Sequence, residues 1–175
     1  GNVISNCYYS YEIFLKAPAT INNINFDNNT CINSGSQWSQ HQRPDSLFAE
    51  HIRHSSNTGN ISGCSIRNNI FNGSLIRHCQ INSTTGFVID YNLIYNAPAF
   101  SFNGKVHATF SQWKKVSSYD THSIYSDPLF VSADDYRLQV GSPAIGSGTD
   151  VGFGAKVNMG AYAGKGVTVS YKKRK

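Results

Sequence analysis

The feature that most constrains this 175-residue chain is a short pattern that recurs along it. Four segments share an apolar residue, then polar or Asn-like residues, then further apolar residues: Ile4–Tyr9, Phe26–Cys31, Ile66–Phe71 and Ile89–Ile94. Their first residues are 22, 40 and 23 positions apart, so two intervals match and the third equals one period plus about 17 residues. Periods of this length predict a solenoid or another array of stacked repeats.

Stacking the four segments in register predicts three columns of side chains. One holds Ile4, Phe26, Ile66 and Ile89, a second holds Tyr9, Cys31, Phe71 and Ile94, and a third holds Asn29, Asn69 and Asn92 with Cys7 in the first turn. An Asn stacked at a sharp bend can bond backbone groups of successive turns. The alternative is chance similarity in a chain that contains 18 Asn.

The repeats are predicted to consist of strands. Apolar pieces of three to five residues separated by Asn, Gly and Ser are typical of short strands. With 2 Glu and 9 Lys, the chain lacks the residues that cover the exposed faces of a helical bundle. No apolar run approaches the length of a membrane-spanning helix, so no membrane span is expected.

The C-terminal half carries an ordered series of short motifs: Asp90–Leu93, Trp113, Asp120–Ile124, Asp127–Phe130, Tyr136–Leu138, Gly141–Ile145 and Met159–Tyr162. Together with the repeats, this series resembles the C-terminal portion of a secreted bacterial right-handed parallel β-helix protein of the pectate-lyase-like superfamily. The resemblance implies an all-β fold: a right-handed parallel β-helix, or solenoid, of which this chain holds the last few coils and a C-terminal cap. It also implies that Asp120 and His122 are structural residues of the cap.

The resemblance and the spacing predict three parts. Residues 1–96 form the coils, with an insertion at about 34–58, residues 97–171 form the last coil and the capping segment, and residues 172–175 form a basic tail. Within the insertion, Pro44-Asp45-Ser46 predicts the start of a short helix that brings Leu47, Phe48, His51 and Ile52 together. Alternation over 167–171 predicts a last edge strand.

The first residues predict an uncovered end. The chain opens Gly1-Asn2-Val3 without an initiator Met, so we expect a piece of a longer protein. Val3 and Ile4 begin inside a coil, with no amphipathic helix ahead of them. Either upstream coils or another chain is therefore expected to cover this edge.

The net charge of +5 is concentrated at one end of the chain. Residues 172–175 contribute +4, and 11 basic and 10 acidic residues remain elsewhere, a net charge of +1. A basic tail is usually solvated, and the body has no basic patch. No nucleic-acid partner is therefore expected.

The cysteines and histidines do not form a recognisable metal site. Cys7, Cys31, Cys64 and Cys79 lack zinc-site spacing and are predicted to be buried free thiols, with disulfides as the alternative. His41, His51 and His54 could ligate a metal, but ordinary surface histidines explain them better without a carboxylate or Cys partner. No cofactor is evident, and Ca²⁺ enters only through the resemblance.

Catalytic members of the resembled superfamily cleave acidic polysaccharides by elimination or hydrolysis, on the exposed face of the strand before the first turn. Here the corresponding strands would be Glu12–Lys16 and Ser74–His78, with the insertion overhanging the same groove. The candidate substrate-binding residues are therefore Glu12, Lys16, Trp38, His41, Arg43, Asp45, Arg77 and His78. No carboxylate cluster is evident among them, so catalytic residues are unknown and neither a Ca²⁺ site nor a hydrolytic pair transfers.

A second constellation is Asp27, Arg67 and Asp90, which share one register on successive repeats. It could be an acid–base cluster, but a ladder of surface ion pairs is the better interpretation.

Two function classes follow. The first is an extracellular or cell-surface β-helix protein that binds polysaccharide and whose full-length parent could be a polysaccharide lyase or glycoside hydrolase. The alternative is a structural or adhesive solenoid, a non-catalytic subunit of a surface assembly. The absent catalytic motifs favour the second class, whereas Trp38 and the basic residues of the insertion favour the first.

Overall fold

A computed structural model describes residues 1–15, 17–36, 41, 48–54, 59–82, 86–152 and 157–162. This part of the chain consists of short strands and one helix. The strands of its first half are β1 Val3–Ser5, β2 Tyr11–Ile13, β3 Thr20–Asn22, β4 Asn25–Asp27, β5 Thr30–Ser34, β6 Glu50–His54, β7 Asn60–Ser62, β8 Cys64–Arg67, β9 Ile70–Ser74 and β10 Arg77–Ile81. They are followed by β11 Phe87–Asp90, β12 Leu93–Tyr95, β13 Phe100–Phe102, β14 Lys105–His107, helix α1 Phe110–Ser117, β15 Ile124–Tyr125, β16 Phe130–Ser132 and β17 Asp135–Leu138. The all-β prediction is confirmed.

Apart from the antiparallel pair of β16 and β17, the strands form four sheets in which almost every pairing is parallel. Sheet A has the order β1-β5-β9-β12-β15, sheet B the order β2-β6-β10-β13-β14, sheet C the order β4-β8-β11, and sheet D pairs β3 with β7. Within these four sheets, only the β13–β14 hairpin is antiparallel. The chain visits the sheets in the recurring order A, B, D, C, except that its third circuit has no described strand in sheet D. We call each circuit a pass: the first runs from β1 to β4, the second from β5 to β8, the third from β9 to β11, and the fourth begins at β12.

The interior columns follow from this register. Phe26, Ile66 and Ile89 are aligned across sheet C, as predicted. Cys31, Phe71 and Ile94 are aligned across sheet A, also as predicted. Except for half-buried Phe26, these residues are at most 2% exposed, and they belong to one hydrophobic core.

The predicted column of asparagines is a continuous hydrogen-bonded ladder at the turns from sheet C into sheet A. The Oδ1 atom of Asn69 accepts from the backbone N–H of Asn29 at 2.8 Å and from its Nδ2 at 3.1 Å. Asn92 Oδ1 accepts from Asn69 in the same way, at 3.0 and 3.1 Å. Asn69 Nδ2 also donates to the Phe26 carbonyl, at 2.8 Å. The ladder therefore satisfies polar groups that the strands cannot reach.

The alignment of the first segment was wrong. Ile4 pairs with Cys31, not Phe26, and Asn2, not Cys7, occupies the first rung, donating to Asn29 Oδ1. Tyr9 lies outside the strands. The Asn6-Cys7 dipeptide resembles the ladder turns, but Asn6 (φ 56°) turns the chain after β1 instead of before it.

The insertion contains a strand of sheet B. β6 lies between β2 and β10 and contributes Ile52 to a buried column with Cys79 and Phe100. The prediction of a helix reaching His51 and Ile52 is therefore wrong, because this apolar column requires extended backbone. The part of the prediction on 42–47 lies outside the described residues.

The described part of residues 97–162 extends the parallel sheets and then covers them. β13 and β15 add to sheets B and A, and α1 packs Trp113 against Phe100 at 5.9 Å between ring centroids. Thr109 caps the start of α1 by accepting from the Gln112 N–H at 3.2 Å. The strand predicted at 167–171 and the basic tail at 172–175 lie outside the described residues.

The thiols agree with the prediction at three of four positions. Cys31, Cys64 and Cys79 are free and buried, whereas Cys7 is free and exposed. Burial raises the pKa of the Cys31 thiol to about 12, so it serves as a small apolar group in the core.

Replacing Asn69 by Ala is expected to lower the free energy of unfolding by about 2–4 kcal/mol, because three buried partners lose their bonds. Urea unfolding followed by circular dichroism measures the change. Asn22→Ala is the matched control, since the Asn22 side chain accepts a bond from Ser62 at an exposed position, and a change of about 0.5 kcal/mol or less is expected. Equal effects of the two substitutions would show that the asparagine ladder does not contribute specially to the stability of the fold.

Candidate functional site

The candidate site lies on the outer face of sheet B. Alternation along the strands directs Ile52 and Cys79 into the core and their neighbours Arg53 and Gln80 outward. Glu12, Arg53 and Gln80 are aligned on three adjacent strands and form one polar row.

Arg53 links this row together. Its Nε lies 3.7 Å from Glu12 Oε1, and its Nη1 lies 3.2 Å from Gln80 Oε1. The same Nη1 lies 3.5 Å from Oε1 of Glu50. That oxygen also forms an ion pair with Arg77, whose Nε lies 3.0 Å away. Two guanidinium groups and two carboxylates thus compensate one another across β2, β6 and β10.

Glu50 is the buried anchor of this charge network. Its side chain is 0% exposed, whereas that of Glu12 is 38% exposed. Burial raises the pKa of the Glu50 carboxyl, and the neighbouring Arg53 and Arg77 oppose that shift. Glu50 therefore positions Arg53 and Arg77 through ion pairs and does not itself face solvent.

Aromatic rings flank the row. The Arg53 guanidinium lies 3.9 Å from the centroid of the Phe48 ring and 5.5 Å from that of Tyr9. Tyr8 packs edge-to-face on Tyr9 at 4.7 Å, and its hydroxyl accepts from the Phe48 N–H at 3.2 Å. The described end of the insertion thus closes over Arg53. Burial raises the pKa of Tyr9 to about 12, so its hydroxyl stays protonated at neutral pH.

A groove of about 270 Å³ runs along the turns that lead from sheet A into sheet B. Its lining consists mostly of amide and hydroxyl side chains: Asn33, Ser34, Ser36, Gly73, Ser74, Leu75 and Asn96. Leu75 lies two positions before Arg77, so the groove borders the start of β10.

The structure brings together only part of the predicted set. Glu12 and Arg77 lie on one sheet and are linked through Arg53 and Glu50. His41 is exposed, and Lys16, Trp38, Arg43 and Asp45 lie outside the described residues. His78 lies on the opposite side, in the core, where it packs on Phe71 at 5.0 Å.

The predicted strands were out of register. Glu12–Lys16 was matched to Ser74–His78, but Glu12 is aligned through Arg53 with Gln80, and the turn between β9 and β10 falls at 75–76. Arg53, Glu50 and Gln80 were therefore missed as site residues. The segment Glu50–His54 holds a single apolar residue, Ile52, so no alternation marked it as a strand.

Two histidines of the insertion, His51 and His54, are not surface residues, whereas His41 is exposed. His51 is 1% and His54 4% exposed, and both lie on β6. His51 Nδ1 contacts the hydroxyls of Ser34 at 2.8 Å and Ser10 at 3.0 Å. Among the described residues, no group of three or more His, Cys, Asp or Glu side chains could hold a metal ion.

The second predicted constellation is aligned as expected, but its charges pair differently. Arg67 Nη2 binds Asp27 at 3.1 Å, while Asp90 binds His122 Nδ1 at 2.7 Å. In each pair the carboxylate also accepts the backbone N–H of its partner. Asp120, by contrast, is buried and accepts from Trp113 Nε1 at 2.9 Å and Ser123 Oγ at 2.6 Å. These contacts are those of structural residues.

No protein-family model, curated protein or solved structure matches the chain. Within the described residues, no helix has the length and apolar character needed to cross a bilayer.

Three buried imidazoles make stability depend on pH. Burial lowers the pKa of His51 to about 3 and also lowers the pKa values of His54 and His78, so the folded protein disfavours the protonated form of all three. The unfolded chain takes up protons below about pH 6.5, which lowers the free energy of unfolding by up to about 1.4 kcal/mol per pH unit for each histidine. Stability is therefore expected to fall as the pH drops from 6.5 towards 3.

Urea titrations between pH 7 and pH 4 test this dependence. His78→Leu is expected to make the decline shallower, because one buried proton acceptor is lost. His107→Gln, on the hairpin strand β14, is the control and should keep the decline, because the three buried imidazoles remain. Parallel curves for His78→Leu and the unaltered chain would refute the assignment.

The charge network makes a separate prediction. Arg53→Met and Glu50→Gln are each expected to cost about 2–3 kcal/mol of unfolding free energy, because a buried charge loses a partner. The double variant should lose at least about 1 kcal/mol less than the sum. Arg137→Met, which breaks an exposed pair with Asp135, should leave the free energy of unfolding nearly unchanged. Additive losses at positions 50 and 53 would mean that the two side chains do not act together.

Proposed function

We propose that this protein binds a polysaccharide on the outer face of sheet B. The supporting observation is the polar row of Glu12, Arg53 and Gln80, which aromatic rings flank, together with the groove at the start of β10. Aromatic rings stack on the apolar faces of sugars, and carboxylate, guanidinium and amide groups bond their hydroxyls. A row that repeats from strand to strand suits a polymer whose units also repeat.

Binding without cleavage is the proposed activity. Glycoside hydrolysis needs two carboxyl groups that reach the scissile bond. Here Glu50 is fully buried and Glu12 is paired with Arg53, so neither is poised for that chemistry. A longer parent with lyase or hydrolase activity remains part of the proposal, as does an extracellular or cell-surface location.

We further propose that the passes are coils of a right-handed parallel β-helix similar to those of the pectate-lyase-like superfamily. The recurring sheet order, the parallel registers and the aligned columns support it. The handedness rests on the strong preference of parallel crossover connections for the right-handed form.

A structural role in a surface assembly is the second candidate. The first strand of each of the four sheets is an edge strand, which favours a subunit that continues into further structure.

Titration calorimetry with soluble polysaccharides, neutral and uronate-rich, tests the binding proposal. Tyr9→Ala and Gln80→Ala are expected to weaken binding at least about tenfold, since each removes a contact worth more than about 1.4 kcal/mol. Val88→Ala, at a 51% exposed position on sheet C, is the control and should bind normally. The chain should release no unsaturated uronate products.

Three results would count against this proposal. Absence of binding to every polysaccharide would favour the structural role. Equal affinities of the Tyr9, Gln80 and Val88 variants would move the site elsewhere. Release of unsaturated products would show lyase activity, which contradicts binding without cleavage.

A further inference from the structure

In each of the four sheets, an apolar residue of the first pass is more exposed than the residue aligned with it in the second pass. In sheet A, Ile4 is half-buried, whereas the aligned Cys31 and Phe71 are 0% exposed. In sheet C, Phe26 is half-buried and the aligned Ile66 is 0% exposed. The columns thus lose their burial at the first pass in both sheets.

The same contrast holds in the other two sheets. Tyr11 is half-buried next to Ile52, which is 1% exposed, and Ile21 is half-buried next to Ile61, which is 6% exposed. Three further apolar residues of this pass are exposed: Val3 at 41%, Phe14 at 70% and Ile24 at 44%. An apolar surface of this kind indicates an interaction site.

The backbone at this end is also open for pairing. β1, β2, β3 and β4 are the edge strands of sheets A, B, D and C, so all four edges lie in one pass. Unpaired edges of parallel sheets accept further strands. At the other end, by contrast, the β13–β14 hairpin and α1 cover sheet B.

The asparagine ladder specifies what this end accepts. Each rung donates its N–H and Nδ2 to Oδ1 of the next, from Asn2 to Asn29 and onward. Both donors of Asn2 are therefore engaged, while no described residue donates to its Oδ1. The Asn2 Oδ1 atom can therefore accept N–H groups from an asparagine placed one pass earlier, as Asn29 Oδ1 accepts from Asn2.

We propose that the first pass is an interface for one more pass of parallel strands, supplied by a polypeptide segment that continues into Gly1. Its strands pair with β1, β2 and β4, and an asparagine at its own turn donates to Oδ1 of Asn2. This inference does not depend on glycan binding.

A second copy fits this surface poorly. The edges of all four sheets are open together only at the first pass, so two copies would meet there face to face. The Oδ1 atoms of the two Asn2 side chains would then face each other, and both are hydrogen-bond acceptors. The polarity of the ladder therefore favours a further pass over a symmetric dimer.

The test is a graft of one pass from the chain itself. Residues 69–90 are fused ahead of Gly1, which then takes the position that Tyr91 holds before Asn92, because a side chain at Gly1 would meet the Ala161 and Asn28 backbone. The fusion sets copies of β9, β10 and β11 against β1, β2 and β4. The graft is expected to raise the thermal midpoint by about 5 °C and to reduce binding of a hydrophobic dye, because buried apolar area increases. The same graft with alanine in place of the grafted copy of Asn69 should give a clearly smaller rise, while the native Asn69 is left unchanged.

A graft of scrambled sequence is the control and should give no rise. No rise from the intact graft would overturn the proposal, as would equal rises from the intact, Asn69→Ala and scrambled grafts. Sedimentation of the unmodified chain as a dimer that the graft dissociates would assign the edge to a second copy, which also overturns it.

Discussion

The structure depends on how the chain turns from sheet C into sheet A. At each of these turns a residue of positive φ precedes a ladder asparagine: Asn28 before Asn29, Asn68 before Asn69 and Tyr91 before Asn92. The left-handed residue makes the bend short, and the asparagine satisfies the backbone groups that the bend leaves inside. Because each rung bonds the next, the spacing of the turns also fixes the register of the strands beside them.

Because of this polar ladder, successive passes can differ in length while their strands stay paired. The second pass contains an insertion and the third does not, yet Asn29 and Asn69 still meet and the strands on both sides remain paired. The site on sheet B benefits from the same register. Glu12, Arg53 and Gln80 come from three passes, and they form one row only because the strands that carry them are aligned.

The sequence predicted what repeats and missed what occurs once. The columns of Phe26 and Cys31 were predictable, because identical spacing places similar residues on neighbouring strands. The first rung was not, since Asn6-Cys7 imitates the local pattern and only pairing with β5 identifies Asn2 as the rung. Arg53 and Glu50 were missed for a related reason. They lie on β6 within the insertion, and β6 is a strand because it pairs with β2 on one side and β10 on the other. His78 was taken for a surface residue because strict alternation places neighbouring residues of a strand on opposite faces, whereas in β10 both His78 and the adjacent Cys79 are buried.

The two ends of the ladder differ in chemistry, and this difference explains their different surroundings. Asn92 donates its Nδ2 to Asp120 at 3.2 Å and its N–H to the Ser123 hydroxyl at 2.8 Å, so the row of aligned amides ends on a buried carboxylate. Trp113 and Ser123 bond that carboxylate as well, which anchors α1 to the last rung. Hydrogen-bonded chains polarise one another in a low-dielectric interior, so the carboxyl oxygens of Asp120 at the acceptor end strengthen the donors behind them. The opposite end presents a bare carbonyl oxygen among half-buried apolar side chains, a combination that favours additional strands over solvent.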